Sequence, residues 1–223
     1  MAGISATGQG KGKIGFEPLL PGFVHVPFND LEAIRNAISP ATIAVMIEGI
    51  QGEGGINAAS PEFLLGLRAL CDERGMLLLY DGVQCGHYRT GTFQSYGRIL
   101  ENVDQGDAFL PDAISMAKSL GGGFPLGAVW VNERHADVLG PGTHGTTFGG
   151  TPLASAVGLA VMGAIEEKHL DQNARAVGDS FKALLTALKA EFPEVIAEVR
   201  GLGLMLGVEF SDGFAQYFES DRP

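Results

Sequence analysis

The chain has 223 residues, of which 45% are apolar and 18% charged, an ordinary composition for a globular protein with one large domain or a large and a small one. A formal charge of -11 and the lack of any Lys/Arg-rich run argue against nucleic acid as a partner. No stretch approaches the roughly 20 apolar residues that span a bilayer, and the N-terminus lacks a signal-peptide core, so no membrane partner and a cytoplasmic location are expected.

In chain order, Asn29 is predicted to cap a short helix running to Ile38, with Glu32 three residues on and Leu31, Ile34 and Ile38 sharing a face. The apolar run Ile43 to Ile47 does not alternate, which suits a strand buried on both faces of a parallel sheet and delivers Glu48 at its C-terminal end. Ser60 and Pro61 signal a helix start, and Phe63, Leu64, Leu67, Leu70 and Cys71 form its apolar face before Gly75 closes it. A second strand, Met76 to Tyr80, ends at Asp81. The polar segment Gly97 to Phe109 reads as a loop.

Ala113 to Ala117 is predicted as a strand ending at Lys118, and Ala128 to Val131 as another beyond a glycine-rich turn. Strand and helix alternate, so the fold class is α/β with a mostly parallel sheet flanked by helices. Thr151 and Pro152 open a long Ala-rich helix, Asp171 a second amphipathic one, and Val199 to Phe210 suggests a Gly-interrupted hairpin. That last portion reads as a smaller α+β unit, which places a large domain at 1–168 and a small one at 169–223.

Thirty-three glycines cluster in words such as QGEGG and LGGGFPLG, as in tight turns around a site, and form no repeat. Cys71 and Cys85 fit buried thiols of a reducing compartment. No His-Glu-x-x-His is present and the five histidines are scattered, so no metal site is expected. Gly3 and Gly8 have P-loop spacing, but Gln9 stands where its lysine belongs.

Three strand ends in succession thus present Glu48, Asp81 and Lys118, and open α/β sheets bind ligands at that rim. A carboxylate and an amine there also fit a structural ion pair, and residue types alone leave both readings open.

The words MIEGIQGEGG, LLLYDGVQCGHYRTG, AISMAKSLGGGFPLGA and GTHGTTFGGTPLASA, in that order, resemble the class III aminotransferases. SATGQGKGKIGFEPLLPGFVHVPFND and VRGLGLMLGVEF are most similar to the acetylornithine branch of that family. The resemblance covers nearly the whole chain and fades after Phe210.

It implies the fold type I large domain of the pyridoxal phosphate (PLP) enzymes and a transaminase acting on N-acetylornithine and 2-oxoglutarate in arginine biosynthesis. It further implies that Lys118 forms the Schiff base with PLP and moves protons, Asp81 holds the pyridine nitrogen, Val83 packs on a ring face and Gln84 bonds the phenolic oxygen. Thr147 matches a residue reaching the cofactor phosphate of a neighbouring subunit, hence a homodimer, with Thr146 as the alternative. Glu48 and Glu53 match a substrate-side segment; either could instead cap a loop or face solvent.

Several family features have no counterpart. The phosphate-binding turn, the stacking aromatic and the C-terminal substrate arginine are not found, so the chain resembles the middle of such an enzyme. Gly49 stands for a usual proline, Gly82 for a glutamate and Thr151 for an asparagine, and the segment from Asp81 to Lys118 is several residues longer than the family's. Ornithine, 4-aminobutyrate and succinyldiaminopimelate transaminases share the core and remain alternatives, as does a catalytically inactive fragment or interaction module that keeps the sheet.

Overall fold

The computed structural model describes residues 2–215; the end of the segment that departs from the family pattern after Phe210 lies outside them. Two compact units are present, one up to Thr42 and one from Ile43 on. The expected division near residue 168 falls inside the second unit.

In the first unit, helix α1 (Ala2–Ala6) precedes a 3-10 turn at Lys11–Lys13 and helix α2 (Leu31–Ala37). The Leu20 N–H donates to Ser5 Oγ at 3.0 Å and links the start of this unit to its middle. The cap of α2 is Asp30, not the predicted Asn29: Asp30 Oδ1 accepts from Ala33 N at 2.8 Å. Asn29 takes a left-handed conformation (φ 61°), whereas a capping residue is extended, as Asp30 is.

The second unit holds a four-stranded sheet in the order β1 (Ala44–Glu48), β4 (Leu77–Asp81), β5 (Ala113–Met116), β6 (Ala128–Val131), with a small hairpin of β2 (Ile50–Gln51) and β3 (Asn57–Ala58) after β1. Between β3 and β4 runs helix α3 (Pro61–Arg74). Its ends follow the predicted signals: Ser60 Oγ accepts from Phe63 N at 3.1 Å, and Gly75 closes it in the left-handed conformation. Phe63, Leu64, Leu67, Leu70 and Cys71 are all buried, and α3 packs against β4. Each of the phenylalanine and leucine side chains stabilises the fold by roughly 1.5–3 kcal/mol. Both cysteines are buried free thiols.

β1, β4 and β5 are mutually parallel, while β6 runs antiparallel to β5, so the sheet is mixed. The connection 117–127 holds only a 3-10 turn and no crossover helix, and a parallel return needs a crossover. β1 differs from expectation too. Among the described residues it pairs only with β4, and Met46 is 51% exposed, so this apolar strand is an edge strand and is not buried on both faces.

The segment expected to be a loop carries a short helix, α4 (Ser95–Ile99), and a 3-10 turn at Gly106–Ala108. Ile99, Leu100 and Phe109 are buried, and Tyr96 contacts the rings of Tyr80 and Phe109, each at 5.2 Å between centroids. Polar composition concealed these spaced apolar anchors.

Beyond β6 come α5 (Pro152–Glu167), capped by Thr151 Oγ1 accepting from Ala154 N, and α6 (Leu170–Glu191). Thr151 therefore does the capping work for which Asn is equally suited. Strands β7 (Ile196–Leu202) and β8 (Met205–Phe210) form the predicted antiparallel hairpin. Lys182 and Lys189 on α6 donate to the Gly201 and Ala197 carbonyls of β7 at 2.9 and 2.7 Å. A last helical turn, α7 (Asp212–Ala215), follows.

At the N-terminal end of β5, Asp112 is buried, its side chain only 3% exposed. It accepts from Leu78 N (2.7 Å), Arg68 Nη1 (2.8 Å) and Arg134 Nη2 (2.6 Å), and His135 Nε2 lies 3.0 Å away. One carboxylate thereby ties α3, β4 and the turn after β6 together at the end of the sheet opposite the candidate site. Among the described residues no helix is long and apolar enough to cross a membrane.

Candidate active site

The C-terminal rim of the sheet collects the candidate residues because strand order places their strands side by side. Glu48, the last residue of β1, is in register with Asp81, the last of β4, and Asp81 is in register with Ser115 of β5. Lys118 begins a 3-10 turn just beyond β5, at Lys118–Gly121, with φ 45°. An apolar strand that ends on a charged residue puts the charge where the sheet meets solvent, so local pattern and rim position agree.

Asp81 is held from two sides. Its Oδ1 accepts from Val83 N at 2.9 Å and from Ser115 Oγ at 3.0 Å. Among the described residues no donor reaches Oδ2. Val83, half-buried, thus enters the local structure through its backbone N–H.

Gln84 bridges the rim. Its Oε1 accepts from Lys118 Nζ at 2.9 Å, and its amide lies against the backbone of Gly52, where an added Cβ would come within 2.2 Å of Oε1. A side chain at 52 and this placement of Gln84 are mutually exclusive. Lys118 itself is exposed.

Glu48 Oε2 accepts from Gly52 N at 3.0 Å. Burial pushes the Glu48 carboxyl above the ordinary range; the Gly52 N–H opposes this, and the charge of Asp81 adds to it. Glu53, in the β2–β3 hairpin loop, is exposed, although its charge also reaches Glu48. Thr147 lies in an exposed stretch, 141–150, and among the described residues makes no hydrogen bond to the rim. The fold therefore brings Glu48, Asp81, Gln84 and Lys118 to one rim, where the charges of Asp81 and Lys118 reach Glu48 and Lys118 bonds Gln84; Glu53 stands at the margin and Thr147 makes no hydrogen bond to them among the described residues.

Ser115 and Gly52 are the members that sequence reasoning missed. Ser115 was detectable as the polar residue of an otherwise apolar strand three residues before Lys118, but its partner depends on sheet register. The departures at 49 and 82 have a steric account. A Cβ at Gly49 would fall 1.7 Å from the Tyr80 hydroxyl, and one at Gly82 would fall 2.1 Å from Gln94 Oε1. Both neighbouring side chains are buried and fill the vacated space.

The family model for aminotransferase class-III matches residues 1–219. The acetylornithine aminotransferase of Myxococcus xanthus is 46% identical over 210 residues, covering 94% of this chain and 50% of that protein. A crystal structure of the ornithine aminotransferase from Toxoplasma gondii superposes with a TM-score of 0.85 at 33% identity, over 95% of this chain and 49% of that one. A second structure of that enzyme, described as having partial occupancy of PLP at its active site, gives 0.82 at 34% identity, over 94% and 48%. The chain spans about half the length of the relatives it matches. With the family model matching residues 1–219, the chain belongs to the class III aminotransferase family.

Proposed function

We infer that this chain carries the cofactor-binding core of a PLP-dependent aminotransferase, and that the reaction it serves is transfer of the amino group of N-acetylornithine to 2-oxoglutarate. The observation that carries this reading is the placement, at one sheet rim, of Asp81 at the end of β4 and of Lys118 in the turn just beyond the adjacent parallel strand β5.

The residues fit the cofactor. A carboxylate with Oδ2 lacking a donor among the described residues can accept a ring N–H, and a primary amine stands on the neighbouring strand's extension. Bound there, PLP supplies an aldehyde carbon and an electron-withdrawing ring. Asp81 holds the proton on the ring nitrogen. Lys118 Nζ would be the amine that holds the aldehyde and, when free, the group that moves a proton at the substrate α carbon. Gln84 keeps its Nε2 available to donate to the phenolic oxygen while Oε1 restrains Lys118. Val83 would cover a ring face.

On this reading, Glu48 and Glu53 lie on the substrate side of the site, where Glu53's exposure leaves it free to pair with an incoming cation. Thr147, exposed within HGTTFGG, reaches the phosphate bound by a second copy, so the working unit is a homodimer in the cytoplasm. The division into a cofactor-binding portion at 1–168 and a smaller portion at 169–223 belongs to the same proposal. Ornithine is the second substrate reading, favoured by the likeness to the Toxoplasma ornithine enzyme.

Incubating the purified chain with PLP, reducing with borohydride and mapping pyridoxyl adducts by peptide mass spectrometry tests the core of the proposal. A stoichiometric adduct confined to Lys118 and lost in Lys118→Ala is expected; scattered or absent labelling sinks it in favour of an inactive module.

A further inference from the structure

We propose that Ser115 is a positioning residue that aims the Asp81 carboxylate, so that Oδ1 is consumed by the protein and Oδ2 is presented to the cofactor's ring nitrogen; this rests on the PLP reading above. Ser115 holds the Asp81–Gly82 segment twice. Its Oγ donates to Asp81 Oδ1 at 3.0 Å, and its carbonyl accepts from Gly82 N at 2.9 Å.

The second donor to the carboxylate, Val83 N at 2.9 Å, arrives at the same oxygen. Two donors on one oxygen define the direction of the other. The carboxylate would otherwise turn about its terminal torsion, which is broad and roughly two-fold. A single donor, the Val83 N–H two residues away, fixes that torsion less firmly than it does together with a second donor from the adjacent strand.

The placement of Ser115 makes a purely space-filling role a poor account. It lies directly opposite Asp81 in the β4–β5 register, and only half-buried, so water could satisfy its hydroxyl. The neighbouring β5 residue Ile114 is buried instead, as alternation requires. Because Lys118 begins the turn just beyond β5, the strand that aims the carboxylate also leads into the amine. Gln94 fills the space beside Gly82.

The test is a double-mutant cycle on PLP affinity, read by titration with the whole chain and checked by thermal melting. Ser115→Ala is expected to weaken PLP about tenfold, the size of one hydrogen bond to a charged group, and to move the visible absorption of the bound cofactor in the direction that Asp81→Asn moves it. In the Asp81→Asn background, Ser115→Ala should cost nothing further. Should Ser115→Ala fail to fold, Ser115→Thr and Ser115→Val decide the matter: they share a shape and differ in the hydroxyl, so only Thr should retain affinity. Unchanged affinity in Ser115→Ala, an equal loss in both backgrounds, or equal behaviour of Thr and Val overturns the proposal and leaves a structural hydroxyl. Failure of the unmodified chain to bind PLP refutes the cofactor reading itself, and this inference falls with it; the two failures differ in whether the unmodified chain or only the variants are affected.

Discussion

Gln84 Oε1 accepts from Lys118 Nζ at 2.9 Å while the same amide lies on the bare backbone of Gly52. The lysine is therefore oriented by a residue of a different strand's turn, and that residue keeps its position only while position 52 has no side chain.

Gly52→Ala should accordingly impair the site without unfolding the chain. The new Cβ would sit 2.2 Å from Gln84 Oε1, and an amide at the end of a flexible side chain can swing away. We expect PLP affinity to fall by about tenfold, the worth of one hydrogen bond to a charged group, with a melting temperature close to that of the parent. A PLP titration beside a thermal melt checks this; unchanged affinity would show that Gln84 does not orient the lysine.

Glu48 predicts a pH effect of opposite sign to the usual carboxylate. Burial raises its carboxyl in the folded chain above 4.5, with Asp81 adding and Gly52 N opposing. The folded state then binds more protons than the unfolded one in that window, so its contribution is lost as pH rises from about 4.5 through the raised value. Glu48→Gln, which can still accept from Gly52, should melt about 1–3 °C higher than the parent at pH 7 and no higher at pH 4. An equal difference at both values would remove the electrostatic explanation.

Asp112 behaves conventionally. Burial favours its neutral form, but the Leu78 N–H, Arg68 and Arg134 outweigh that and hold the carboxyl at about 2, against an ordinary 3.8. Stability linked to Asp112 is fully present above its unfolded value and is lost as pH falls from about 4 through about 2. Asp112→Asn leaves the largely buried Arg68 facing a neutral amide and should cost about 3 kcal/mol in urea unfolding at pH 7. Its stability should also fall less steeply below pH 4; parallel pH profiles for the two proteins would refute the assignment.

Much of the fold was legible locally. Ser60 with Pro61, and Thr151 with Pro152, announced α3 and α5 because a capping hydroxyl accepts from one orphan N–H of the first turn and a proline at the first helical position lacks another. The spacing of Phe63, Leu64, Leu67, Leu70 and Cys71 announced the buried face of α3 for the same kind of reason. Asp30 replaced Asn29 as the cap of α2 because two adequate capping residues stand side by side and backbone conformation chooses between them. The edge position of β1 and the reversal of β6 were hidden, since an apolar run records hydrophobicity and not how many neighbours a strand has.

The candidate site divides along the same line. Residue order alone determined that Glu48, Asp81 and Lys118 each close an apolar run, because the change from apolar to charged residues is written in the sequence itself. Motif resemblance supplied Val83, Gln84, Glu53 and Thr147. Only the tertiary structure decided that β4 lies between β1 and β5, that Ser115 faces Asp81, that Gln84 settles on Gly52, and that Asp112 gathers Arg68, Arg134 and His135. Those relations join residues far apart in the chain, and they are set by sheet register and by space left vacant at glycines, neither of which is written in any local pattern of residues.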